Sequence, residues 1–176
     1  MGQILEQTPN IAEIIVVIDA EKLVREKKGG TEASPTFIPY AEANNYIYMV
    51  TSPEIVRAGQ ATGFLHIKVD TGINVEWFGQ SIQPIRYDVL LRSLLLWRGD
   101  ITTEPMFRSI ERTHASQPRN QPLGTVFSTF YMGRWYVTTE GYGEVDYYFV
   151  FEVFDTATRE SQGVYKWDPR IEITRS

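Results

Sequence analysis

The side chains best suited to proton transfer near neutral pH are few: only His66 and His114 in 176 residues, far apart in sequence. His66 alternates with Phe64 and Lys68 in a strand-like run, which reads as a sheet-surface position. The chain has no cysteine, which removes thiolate zinc sites, iron–sulfur clusters, disulfides and cysteine nucleophiles. No two histidines stand at metal-ligand spacing, and the carboxylates do not form a calcium-loop pattern. The expectation is therefore no metal and no cofactor.

Asp70-Thr71-Gly72 follows an apolar run, as in the loop that carries the catalytic carboxylate of aspartic proteases. That chemistry needs two carboxylates sharing one proton, and one copy is present, so the second Asp70 would have to come from a homodimer. The same three residues also make an ordinary turn between strands. No serine lies in a nucleophile elbow, and no glycine-rich loop joins a strand to a helix in phosphate-binding form. Gly59-Gln60-Ala61-Thr62-Gly63 reads as a turn before a strand. With no catalytic residues assigned, the expectation is a protein that is not an enzyme.

Aromatic residues carry more information. There are 4 Trp, 10 Tyr and 9 Phe, and Trp77, Trp97, Trp135 and Trp167 each lie in or beside a strand. Most such rings fill cores, but an exposed ring can stack on the apolar face of a sugar while nearby polar groups bond its hydroxyls. The candidate ligand site is His114, Asn120, Arg134, Trp135 and Tyr142, drawn from neighbouring turns and a long excursion, with carbohydrate as its ligand. Tyr148, Val150 and Phe154 offer an alternative use of apolar surface, covering a second subunit of a homo-oligomer, with a dimer expected first.

These residues need elements to hold them. Ile14 to Ile18 are five consecutive β-branched residues, which predicts a central strand. Asp19 is a candidate N-cap for a short helix over Ala20 to Lys28, ending at Gly29-Gly30. Gly29 to Asn45 reads as a surface loop anchored by Phe37 and Tyr40. Strand-like runs follow at Tyr46 to Ser52, Gly63 to Val69 and Ile73 to Ile82. Tyr87 to Trp97 is ambiguous, since its leucines fit a helical stripe or a doubly buried strand. Gly99 to Gly124 reads as a long excursion. Phe127 to Tyr131 and Arg134 to Thr138 predict a hairpin turning at Met132-Gly133, with Phe130 opposite Trp135. Gly141-Tyr142-Gly143 is a second turn. Val145, Tyr147, Phe149, Phe151 and Val153 then alternate as the inward face of a long strand. Gly163 to Thr174 supplies the last strand or strands, interrupted by Asp168-Pro169. The whole predicts an all-β, antiparallel two-sheet β-sandwich, jelly-roll-like, with one short helix near the N-terminus. Residues 1–12 form an N-terminal arm and 13–176 a single domain.

Composition bounds the partners. Seventeen basic against 22 acidic residues give a net charge of −5, which argues against wide contact with nucleic acid. No run reaches the roughly 20 apolar residues of a bilayer span, and Met1 to Asn10 lacks the basic start and apolar core of a secretion signal. The expected location is cytoplasmic.

Three segments in order, Ile14 to Asp19, Tyr48 to Pro53 continuing through Gly59 to Gly63, and Tyr165-Lys166-Trp167-Asp168-Pro169, resemble the PixA/AidA family of bacterial inclusion body proteins. The similarity runs from about Ile14 to Ile173. The resemblance implies a small soluble β-sandwich under quorum or growth-phase control, with members that accumulate as intracellular inclusions. It makes Tyr87 to Trp97 a strand. Some relatives look like sugar-binding proteins, whereas the four methionines here are unlike the Met-rich members, which weighs against a storage role. The loops at Gly29 to Asn45 and Gly99 to Gly124 depart most from the pattern.

Overall fold

The β-branched run settles into β1 (Ile11–Ile18), whose Ile14, Val16 and Ile18 are fully buried while Glu13, Ile15 and Val17 are half-buried. The computed structural model describes residues 11–116 and 125–173. After β1 come α1 (Ala20–Glu26), β2 (Thr36–Phe37), α2 (Tyr40–Ala43), β3 (Ile47–Thr51), β4 (Val56–Ala58), β5 (His66–Ile67) and β6 (Asn74–Ser81). The second half holds β7 (Tyr87–Arg98), β8 (Met106–Ser116), β9 (Val126–Thr138), β10 (Gly143–Asp155), β11 (Ser161–Trp167) and β12 (Arg170–Ile173). Asp19 caps α1 by accepting the Lys22 N–H at 3.1 Å.

One sheet has the order β3-β1-β6-β9-β8. In the other, β10 pairs with β7 on one side and with β11 and β12 on the other, and β2 lies beyond β11. A small ladder joins β4 to β5. The two large sheets pack face to face: the Trp77 ring of β6 lies 5.5 Å from Tyr147 and 5.7 Å from Phe149 of β10. Val145, Tyr147, Phe149, Phe151 and Val153 are all buried, so period-2 alternation placed the inward face of β10 correctly.

β11 and β12 are one strand broken in register. Phe149 pairs with Trp167 and Asp146 with Arg170, so Asp168-Pro169 lies opposite Tyr147-Tyr148 without shifting the ladder. The break follows from Pro169, which has no N–H to give, although its carbonyl still accepts from Tyr147.

Several expectations are corrected. The sheets are mixed, because β1 runs parallel to β6 and β2 parallel to β11. Alternation dictates which face a strand buries and says nothing of its neighbour's direction. The loop from Gly29 to Asn45 contains β2 and a second short helix, α2. The excursion from Gly99 to Gly124 contains β8, an eleven-residue strand. The hairpin at Met132-Gly133 does not form: β9 runs straight through both residues and pairs with β8 over its whole length up to Tyr136. Gly133 serves space instead of a turn, since a Cβ there would stand 2.8 Å from the Phe107 ring that lies over it.

From Val126 to Arg134, β9 pairs with β8 alone, so the two strands leave the sheet as a two-stranded ribbon. Val126, Phe127, Phe130 and Tyr131 are exposed on it, and Met106 and Phe107 are exposed at its base. Tyr148, Val150 and Phe154 are only half-buried, with Tyr148 partly covered by Trp97 at 5.6 Å.

Candidate functional site

The site builds up from the Trp-Asp-Pro break. Trp167 is fully buried, stacks on Phe149 at 5.1 Å and donates its indole N–H to the Gly63 carbonyl at 3.2 Å. Alternation along this strand then turns Asp168 to the opposite, outward face of the sheet, beside Asp146 and Arg170. Gly63 is held close in turn. Its N–H donates to Asn44 Oδ1 at 2.8 Å, and a Cβ on it would meet Ala43 at 2.9 Å, which brings α2 against the segment leading to β5. Tyr40, the first residue of α2, thereby stacks on Phe64. Trp97 comes from the end of β7, at a bulge against β10 between Asp146 and Tyr147.

Tyr40, Phe64, His66, Trp97, Asp146, Asp168 and Arg170 line a cavity of about 390 Å³. That volume falls within the few hundred to about 1,000 Å³ of small-molecule sites. Tyr40 and Trp97 are each 60% exposed, whereas Trp77 and Trp167 are core residues. Arg170 donates through Nε to Asp146 Oδ1 at 2.6 Å and pairs through Nη1 with Glu144 at 3.1 Å. The hydrogen bond that Arg170 donates to Asp146 raises the Arg170 pKa above its ordinary value. His66 Nδ1 lies 3.6 Å from Glu172, which also pairs with Arg57. Asp168 differs from these. Its Oδ1 is buried without a hydrogen-bond partner, and burial raises its carboxyl above the usual carboxylate range.

The five residues expected at a ligand site are not gathered in one place. Arg134 is 2% exposed and pairs with Glu13 and, at 3.2 Å, with Glu76, its guanidinium lying 4.8 Å from the Phe78 ring. Trp135 faces the other way, donating to the Leu91 carbonyl at 3.0 Å. His114 is exposed on β8, paired in register with Ser128. Tyr142 lies on the turn after β9, at the far end of that strand; Ser128 to Thr138 alone spans roughly 33 Å of strand. Asn120 lies outside the described residues. Only Trp97 of the tryptophans lines the cavity, and its signal was its place at the end of an apolar run. Asp168 was detectable as a polar residue held between a core tryptophan and a ladder-breaking proline.

A second cavity, of about 830 Å³, runs along β1 and β3, walled by Ile11, Ile15, Val50, Ile55, Val69 and Ile73, with Asp70 among its polar residues. Asp70 opens the turn between β5 and β6, which Gly72 completes at φ +83° with its N–H on the Thr139 carbonyl. Among the described residues no three His, Asp or Glu side chains gather as a metal site, and no helix is long and apolar enough to cross a membrane.

A search of curated proteins found no match. Among solved structures, the chain is similar to the crystal structure of an inclusion body protein, PixA, from Burkholderia cenocepacia. The TM-score is 0.77 at 17% identity, over 97% of this chain and 99% of the other, a likeness of fold. The family model described as PixA, inclusion body protein, matches residues 10–173. A match over nearly the whole sequence places this chain in the PixA family of inclusion body proteins.

Proposed function

We propose that this protein is a non-enzymatic, self-associating β-sandwich that binds carbohydrate in the cavity beside Trp167-Asp168-Pro169. One observation carries the binding reading: two strongly exposed aromatic rings, Tyr40 and Trp97, share a cavity with Asp146, Asp168, Arg170 and His66. Rings of that kind stack on the apolar face of a pyranose, and the polar groups around them match its hydroxyls. The cavity replaces the dispersed set of His114, Asn120, Arg134, Trp135 and Tyr142 as the place to look. A glycan array on the full chain at near-neutral pH tests it. Binding to at least one sugar is expected, lost in Trp97→Ala; no binding to any sugar leaves a purely structural protein.

Self-association is supported separately, by family membership and by the β8–β9 ribbon. A two-stranded ribbon is marginal by itself in water, and this one exposes Phe127, Tyr131 and Phe107 on the face that continues the sandwich interior. A second copy is the proposed cover. Sedimentation velocity should show an oligomer that Phe127→Ser with Tyr131→Ser converts to monomer; an unchanged distribution removes the ribbon from the interface.

A further inference from the structure

We infer that the cavity selects a sugar bearing a protonated amine, with Asp168 as the group that receives the ammonium. The inference rests on the carbohydrate reading above and concerns which sugar class the site prefers.

The charges around the cavity are unequally matched. Arg170 is held by Asp146 and Glu144, so its guanidinium already has two carboxylate partners. Lys166 makes no ion pair with Asp168, its ammonium lying 5.9 Å from the Phe37 ring and 5.6 Å from that of Tyr148, and it favours the Asp168 charge only at a distance. Arg98 reaches Asp146 at 3.8 Å. Asp168 has no ion pair among the described residues, and one of its oxygens is buried without a hydrogen bond. A half-buried carboxylate in that position is destabilised by lost hydration and by the neighbouring Asp146, which the more distant Lys166 offsets only in part.

Each class of sugar meets this arrangement differently. An acidic sugar would bring a third carboxylate beside Asp146 and Asp168, with the cavity's arginine already engaged. A neutral sugar can donate hydroxyl hydrogen bonds to Asp168 but leaves its charge unmatched. An ammonium supplies both the hydrogen bond and the counter-charge. The aromatic wall adds to the preference, because a cation near the faces of Tyr40 and Trp97 gains from the negative face of each ring. Burial has raised the Asp168 carboxyl, and an arriving cation would draw it back toward its ordinary range.

Trp97, at 60% exposure, gives the readout, since a sugar stacked on it changes its fluorescence. The full chain is titrated with glucosamine, N-acetylglucosamine and glucose at a pH where the free amine carries its proton. Glucosamine should bind about tenfold tighter than N-acetylglucosamine, the size of one charge-assisted hydrogen bond. Asp168→Asn should bring the two within about twofold by removing that bond. The wild-type comparison stands without the variant, whose fold is checked by circular dichroism. Equal affinities for the three sugars would overturn the amine preference and leave the carbohydrate reading in place. Fluorescence that no sugar changes would overturn both.

Discussion

Two clusters of arginine and carboxylate lie on the outward faces of the two sheets, built from the same residue types and put to opposite use. On the first sheet Glu76 is 0% exposed and Arg134 2%, and the cluster extends to Glu13, Arg108 and Arg112, so two carboxylates meet three guanidiniums. On the second, Asp146 and Arg170 pair at the rim of a cavity, and Asp168 beside them has no ion pair among the described residues. Buried charge is tolerated only when paired, and in the first cluster each charged group has an ion-pair partner, although Nε of Arg108 and Nε of Arg134 are buried without a hydrogen bond. The second leaves one charge to be matched from outside. Arginine beside an aromatic is therefore not by itself a binding signature: Arg134 over Phe78 is buried on that outward face and already paired with Glu76 and Glu13.

The contrast predicts unequal costs. Glu76→Ala would strip a buried carboxylate from Arg134 and Arg108, and removing one partner of a buried pair costs about 3–5 kcal/mol. Urea denaturation should show a loss of that size, and a loss under about 1 kcal/mol would mean that the cluster is wetter than its burial implies. A sharper form replaces both members. Glu76→Leu with Arg134→Met should recover most of the loss, because a buried ion pair exchanged for apolar side chains is often neutral or better. Failure to recover would show that Glu13 and the remaining arginines depend on the pair.

At the cavity the direction of the effect changes. Trp97→Ala removes an exposed ring, so its stability should lie within about 0.5 kcal/mol of the parent, while any sugar binding disappears. A large loss of stability would instead make Trp97 a packing residue covering Tyr148, from which it is 5.6 Å away.

Legibility in the sequence followed burial. β10 could be read because one face is fully enclosed, which forces an apolar residue at every second position, and β1 because five consecutive β-branched residues favour a strand. β8 could not, because all but two of its residues are exposed and no stripe marks it. Met132-Gly133 looked like a turn because glycine punctuates hairpins; here it makes room for Phe107, a partner that only the β8 pairing supplies. The candidate site failed for a related reason. As neighbours in one strand, Arg134 and Trp135 point to opposite faces and cannot line one pocket, whether or not the chain turns at Met132-Gly133. The cavity that does form draws on five separate stretches, around residues 40, 64–66, 97, 146 and 168–170, and no local spacing connects them.

The smallest effect belongs to Asp168. Its carboxyl is raised in the folded protein, so the native state holds a proton more tightly than the unfolded chain does. Between the ordinary carboxylate range and the raised folded value, the folded form binds more protons than the unfolded. Stability attributable to Asp168 is therefore greatest at low pH and declines as pH rises through that window. Asp168→Asn cannot ionise and escapes the decline. At pH 7 it should be slightly more stable than the parent, with the difference closing as pH falls below about 4. Paired thermal melts across that range measure the difference directly. A variant less stable than the parent at pH 7 would mean that Asp168 is satisfied by the protein itself, and the asymmetry between the two clusters would disappear.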